Sequence, residues 1–339
     1  MKYKKHLFLM MLLAVFILTA CNKEEKNNSE YTTITLEKEP EFICPSNEGE
    51  LLMVVDGEII SYDVRGKAKI IPTDVKVSEV YPCGDWMWII DTEKNLYKLE
   101  KEYNGIYVTS DVVLEDIVYV EGSPIDTFAI NSKGEVFAWG DNENGTLGLG
   151  EISYVEEPTK IDYIEDAVAV KGFHINNAIF DSEGNVYVAG YVYNDKGEEF
   201  LRTFEKIDTS AEIKCIADGP ELFVLYEYGQ IATFNRVERD DYGKLYIETS
   251  LYYDEDGFVG YNFEQIKGAG NIVLALDTEG DLYYWGENFI KKRESKADYE
   301  IHSTPQLINF PKEVEDVYAT YDAAFLKNGL EIYILTRQK

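Results

Sequence analysis

The sequence predicts an all-β chain folded as a seven-bladed β-propeller of four-stranded antiparallel blades, and three observations predict it. A thirteen-residue unit, FAINSKGEVFAWG at 128–140, recurs along the chain. Its copies pivot on a glycine, or a stand-in for one, at intervals of 37 to 51 residues. The strand after the clearest pivot is apolar on both faces, whereas an ordinary half-exposed strand alternates.

The copies are AIFDSEGNVYVAG (178–190), FVLYEYGQIATFN (223–235) and LALDTEGDLYYWG (274–286), with a degenerate WIIDTEKNLYKLE at 88–100. Shortened copies, VVDGEIISYD (54–63) and FLKNGLEIYIL (325–335), lie at the two ends. The pivots are therefore Gly57, Lys94, Gly134, Gly184, Gly229, Gly280 and Gly329. Seven units at a period near 40–50 residues are what a propeller requires.

Each unit reads as a hairpin. A few apolar residues lead into D/N-x-x-G, whose last residue must take positive φ, and a second strand follows. Glycine takes that conformation freely, while another residue loses about 1–2 kcal/mol. The turn at Lys94 is expected to be altered or mildly strained. After its first residue, Glu135-Val136-Phe137-Ala138-Trp139 is apolar throughout, as expected of sheets stacked face to face between neighbouring blades. A further strand precedes the pivots, as in 115–122, 166–172 and 315–319. Segments 157–161 and 304–308 carry Pro158 and Pro305, and proline belongs on an edge strand, so these should be outermost in their blades. No segment reads as a long amphipathic helix.

FAWGDNENGTLGLGE (137–151) is glycine-rich and acidic, so it could serve a phosphate, a calcium ion or the architecture. Gly140 and Gly145 have the spacing of a phosphate loop, but Thr146-Leu147 stands where Lys-Ser/Thr is needed. Counted from Asp141 as a calcium loop, the fifth position is Gly145, the sixth Thr146 and the twelfth Ile152, which breaks the ligand register. Asp254-Glu255-Asp256-Gly257 also lacks it. The stretch is expected to end a blade strand and lead into the next blade, its glycines serving backbone conformation and close approach.

The chain opens with three lysines and an apolar run from Leu7 to Ala20, too short to span a bilayer but suited to a secretory signal. Leu18-Thr19-Ala20-Cys21 resembles a bacterial lipobox, which predicts a signal peptide at 1–20, diacylglycerol and acyl chains on Cys21 and a lipid-anchored protein facing outside the cytoplasm. Residues 21–33 read as a flexible polar tether and 34–339 as the propeller. Removing 1–20 leaves 63 acidic residues against 29 basic ones, a net charge of −34. Such a surface repels nucleic acid and anionic headgroups. It leaves cationic partners open. Cys44, Cys83 and Cys215 fit no zinc spacing. They are expected to be buried single thiols, with a Cys44–Cys83 disulfide as the alternative.

The segments EDAVAVKGFHINNAIFDSEGNVYVAG and FAINSKGEVFAWGDNENGTLGLG resemble repeats of the regulator of chromosome condensation family. Gly172 and His174 fall on its G-x-x-H turn. Trp139, Gly140, Asn142, Gly145, Leu147, Gly148 and Gly150 fall on its W-G-x-N-x-x-G-x-L-G-x-G element. The resemblance spans about residues 32–339, with one repeat nearly complete, two good and four degenerate. It implies a seven-bladed propeller. The founding nuclear members bind nucleosomes and promote nucleotide exchange on a small GTPase, roles that a secretory signal and an acidic surface do not fit. Bacterial secreted members, including a beta-lactamase inhibitor protein, imply use of the scaffold as a protein-binding face.

Catalytic groups are scarce. After the signal only His174 and His302 remain. His174 occupies the family's structural turn, and His302 is expected to be exposed in a polar loop. No G-x-S-x-G or H-E-x-x-H motif is present. No cofactor or metal is expected. The 63 acids leave a glycosidase-type carboxylate pair open. Trp86 and Trp88 are expected to pack between blades rather than bind sugar. The candidate partner-binding residues lie in aromatic, acidic insertions: Tyr191 and Tyr193, then Tyr252, Tyr253, Asp254, Asp256, Phe258 and Tyr261. The first functional expectation is a monomeric, membrane-anchored, extracytoplasmic propeller that binds a protein with a basic surface and performs no catalysis. A cell-wall or glycan-acting enzyme on the same scaffold is the alternative, as is an inhibitor of a secreted hydrolase such as a beta-lactamase.

Overall fold

The computed structural model describes residues 31–46, 48–151, 153–173, 176–194, 197–207, 213–217, 222–234, 236–248, 258, 260–287, 301–321 and 323–336. They form seven sheets, one per blade. Blade 1 is Phe42–Pro45, Leu51–Val55, Glu58–Tyr62 and Ala68–Ile71, and blade 2 is Val77–Cys83, Trp86–Asp91, Leu96–Lys101 and Tyr107–Thr109. Blade 3 is Ile117–Gly122, Asp126–Asn131, Val136–Gly140 and Val155–Ile161. Blade 4 is Ala167–Phe173, Asn176–Asp181, Val186–Asn194 and Gly197–Ile207, and blade 5 is Ile213–Ala217, Leu222–Tyr226 and Ile231–Phe234. Blade 6 is Phe263–Ala269, Ile272–Asp277, Leu282–Glu287 and Ile301–Ile308. Blade 7 is Asp316–Ala319, Ala323–Asn328 and Glu331–Thr336.

All seven pivots fall in the turn between the second and third strands of a blade. Lys94 takes φ 68° where its counterparts are glycine, so the expected strain is present. The aspartate or asparagine that begins the turn has a role that glycine spacing alone does not reveal. Its Oδ1 accepts the N–H groups two and four residues on: Glu93 and Asn95 on Asp91, Lys133 and Glu135 on Asn131, Glu183 and Asn185 on Asp181, and Glu279 and Asp281 on Asp277. A short oxygen-bearing side chain thus satisfies turn donors that no ladder reaches.

The second strands show why alternation disappears. Successive residues serve different neighbours: Phe128 and Ile130 join the core between blades 3 and 4, and Ala129 joins that between blades 2 and 3. Likewise Leu222, Val224 and Tyr226 face blade 4, while Phe223 and Leu225 face blade 6. Seven such cores exist, one at each blade boundary, including that of blade 7 with blade 1. Period-two geometry is intact, but both faces are interior. Trp88 and Trp139 meet edge-to-face at 5.3 Å between blades 2 and 3, as expected for Trp88. Val155–Ile161 and Ile301–Ile308, the proline-bearing strands, are outermost in their blades.

Two features depart from uniform four-stranded blades. Blade 5 has three strands among the described residues, and the chain after it forms a hairpin, Arg236–Arg239 with Leu245–Glu248, that joins blade 4. The ring closes through Thr32–Thr35, which pairs with Glu331–Thr336 as the fourth strand of blade 7. The closing strand therefore takes in the last two residues of the predicted tether. Ile34 and Leu36 fill the boundary between blades 7 and 1.

Candidate protein-docking surface

Up-and-down strand order divides the connections between two faces of the ring. The pivot hairpins and the links between blades lie on one face. The first-to-second turns and the third-to-fourth loops lie on the other, hereafter the loop face.

On the loop face, the glycine-rich stretch is an architectural clamp. Asn142 is fully buried. Its amide donates to the Glu151 carbonyl, and its Oδ1 accepts the Leu147 N–H at 2.9 Å. Leu147 is thereby pressed into the core between blades 3 and 4. The Gly150 N–H donates to the Arg202 carbonyl at 2.7 Å, seating the loop against the outer strand of blade 4. Gly148 has φ 68°, and a Cβ there would lie 2.2 Å from the Phe204 ring. Close approach, not a ligand, explains that glycine.

Next to this clamp blade 4 grows past its neighbours. The third strand of blade 3 stops at Gly140, whereas that of blade 4 continues past Gly190 to Asn194. Tyr191 lies opposite Phe200, Val192 opposite Glu199, and Tyr193 opposite Glu198. The added hairpin then pairs in parallel, Val192 beside Val237 and Tyr193 beside Glu238. Glu238 in turn lies opposite Tyr246. Facing residues share a side of the sheet. One side therefore carries Tyr191, Tyr193, Phe200, Glu198, Glu238 and Tyr246.

The other side holds this projection in place. Val192, Leu201, Val237 and Leu245 are buried in the core between blades 4 and 5. Arg239 bridges Glu199 at 3.2 Å and Glu205 at 3.0 Å, tying the added hairpin to the outer strand. Its guanidinium also donates to the Gly243 carbonyl. Burial works against the charge on Arg239, but the two carboxylates outweigh it and raise its pKa.

The sequence-predicted candidates separate on this map. Tyr191 is buried, edge-on to Tyr193 at 4.7 Å and to Phe200 at 5.2 Å, so it supports the patch from beneath rather than presenting itself. A hydrogen bond from its hydroxyl to Glu198 holds its pKa above the usual tyrosine range. Tyr193 is exposed. Phe258 is buried against Trp285, and Tyr261 is half-buried on Phe263 and Tyr283. Both are packing residues of the boundary between blades 5 and 6. Tyr252, Tyr253, Asp254 and Asp256 lie outside the described residues, as do Cys21 and His174. Phe200, Glu198, Glu238 and Tyr246 were not foreseen, because only register brings them to Tyr193.

His302 sits in a strand rather than a loop, half-buried and edge-on to Tyr284 at 5.5 Å. Trp86 is half-buried beneath the Lys98 ammonium, 4.4 Å from its ring. Cys44, Cys83 and Cys215 are free thiols. Cys44 and Cys83 donate to the carbonyls of Val80 and Ser123. Burial raises the pKa of all three, that of Cys83 to about 12. Among the described residues, no three His, Cys, Asp or Glu side chains group to hold a metal ion.

The fold defines the class of protein, a seven-bladed β-propeller, and the family model for the regulator of chromosome condensation (RCC1) repeat matches residues 133–172. The chain is 28% identical over 172 residues to the ultraviolet-B receptor UVR8 of Arabidopsis thaliana, covering 47% of this chain and 39% of that protein. It is 21% identical over 222 residues to the regulator of chromosome condensation of Xenopus laevis, covering 58% and 52%. The matches thus span about half the length of these relatives or less. Human WBSCR16 superposes with a TM-score of 0.64 at 14% identity over 94% of each chain. Prp20p of Saccharomyces cerevisiae gives 0.61 at 11% identity over 88% of this chain and 82% of that one. At such identities the structural likeness carries the fold alone.

Proposed function

We propose that this chain is a lipid-anchored, extracytoplasmic propeller that binds another protein and performs no chemistry of its own. The observation that carries the binding part is the projection of blade 4. It departs from the repeat plan, is braced from behind, and holds aromatic side chains partly in solvent. Elsewhere the turn carboxylates and the Asn142 clamp are committed to architecture. Other propellers of this shape support the reading, since Prp20p has binding properties toward Gsp1p and histones. The lipobox at Cys21 supports the anchor.

Cross-linking in intact cells tests the whole reading. The anchored chain should yield discrete cross-linked species from the membrane fraction, and Cys21→Ala should release the protein from that fraction. An unchanged membrane location for Cys21→Ala would overturn the anchor. Turnover of peptidoglycan or polysaccharide by the purified chain, abolished by one carboxylate substitution, would overturn the absence of chemistry.

A further inference from the structure

We infer that the tyrosine–glutamate side of the blade 4 projection binds a lysine- or arginine-bearing extended segment of the partner protein. The inference rests on the protein-binding reading above and adds the place and the chemistry.

Within the blades, this side of the sheet abuts blade 3, as the burial of Ala189 and Phe204 shows. Past Gly190 the sheet outruns its neighbour. Tyr193, Phe200 and Tyr246 are consequently 36%, 45% and 38% exposed, and shared register gathers them on one side of one sheet. Register places carboxylates among those rings: Glu198 and Glu238 lie on either side of Tyr193, and Glu238 accepts the Tyr246 hydroxyl.

Aromatic faces with carboxylates at their edges suit one kind of side chain. A cation can lie over a ring while its N–H groups reach a carboxylate, and an anion is repelled by both. The net charge of −31 for the whole chain steers cationic partners toward the protein in general. The rings select where on it they settle. The hairpin is braced before any partner arrives, so little ordering opposes binding. Val192 and Val237 are fully buried, and Arg239 spans Glu199 and Glu205.

Fluorescence anisotropy with the full chain in detergent tests this, using labelled octa-lysine and octa-arginine as probes and octa-glutamine as the neutral control. The cationic probes should bind, and octa-glutamine should not. Tyr193→Ala combined with Phe200→Ala, and separately Glu198→Gln, should each weaken the cationic probes at least tenfold with unchanged circular dichroism. Tyr193→Phe should retain binding. Glu93→Gln with Glu279→Gln removes more charge from the opposite face and should change binding less than twofold. Equal losses in the two sets would show diffuse charge attraction and overturn the inference, as would no preference for cationic probes. In cells, a photoreactive benzoylphenylalanine at position 200 should cross-link to a Lys- or Arg-bearing peptide. Cross-links only from position 228, on the opposite face, would overturn this site and leave protein binding standing. Absence of cross-links from both positions would overturn both readings.

Discussion

The Ala167 N–H donates to the Gly134 carbonyl at 3.0 Å, so the first strand of blade 4 is fastened to the pivot hairpin of blade 3. Val77 to Gly57, Ile117 to Lys94 and Phe263 to Gly229 repeat the bond at other boundaries. The pivot turns a strand and docks the next blade.

Substitution at Gly134 should therefore act twice. Its φ is 75°, and a Cβ there would lie 2.6 Å from the Asp166 Cα. Positive φ costs about 1–2 kcal/mol in a non-glycine residue, and forcing neighbours apart adds about 1–3 kcal/mol. Gly134→Ala should lower the unfolding free energy by about 2–5 kcal/mol in urea titration. Lys94→Gly is the converse, and relief at φ 68° set against the entropy of glycine should leave a gain of about 0.5–1 kcal/mol.

The turn carboxylates predict an acid-labile fold. Asp91 accepts Glu93 N–H, Asn95 N–H, the Asn95 amide and the Tyr97 hydroxyl at 2.8–3.0 Å. Burial raises its pKa, but those bonds, led by the Asn95 N–H, outweigh burial and leave it below the usual aspartate value. Asp63 is lowered in the same way, burial opposing and the Lys67 and Arg65 groups prevailing. A folded pKa below the unfolded one stabilises the protein above about pH 4, and the contribution is lost as pH falls through the folded pKa. Melting midpoints should decline on acidification below about pH 5. Asp91→Asn should shallow that decline while keeping the turn, since Asn131 already accepts Lys133 and Glu135 N–H groups in blade 3. Asp91→Ala orphans turn donors and should cost about 1–3 kcal/mol.

Ring closure depends on four residues. A chain beginning at residue 31 should melt close to the full-length protein, whereas one beginning at 37 loses Thr32–Thr35 and with it the fourth strand of blade 7. Within the full chain, Ile34→Ala empties part of a closed core and should cost about 2–5 kcal/mol. Hydrogen exchange should accelerate first in blades 7 and 1, and uniform acceleration around the ring would contradict the closure.

Arg239→Met should loosen the projection without unfolding the propeller. The partners Glu199 and Glu205 are more than one-third exposed, so the pairs contribute at most about 1 kcal/mol. The global melting midpoint should barely move. Proteolysis near Tyr242, at the solvent-facing tip of the hairpin, should become faster, and an unchanged cleavage rate would show that the buried valines suffice.

Much of the fold was legible because a propeller writes its period into the chain. Each blade needs one tight turn with one residue at positive φ, and seven such needs leave seven marks. Prolines marked outer strands because an outer edge can spare an N–H. The surface patch was half legible. Tyr191 and Tyr193 alternate visibly, but alternation does not say which of them faces water, and Tyr191 is the buried one. Phe258 and Tyr261 looked like surface aromatics in an acidic insertion, and burial beside Trp285 and Phe263 made them packing residues.

By itself the sequence determined blade number, turn chemistry and the two-faced apolar strands, because these depend on local backbone requirements and a fixed period. Only tertiary structure decided that Thr32–Thr35 closes the ring, that residues 236–248 join blade 4 instead of completing blade 5, and that Phe200, Glu198, Glu238 and Tyr246 surround Tyr193. Those outcomes depend on strand register between segments as far apart in the chain as Thr32 and Ile334. A one-residue slip of register would send each of those side chains to the other side of its sheet.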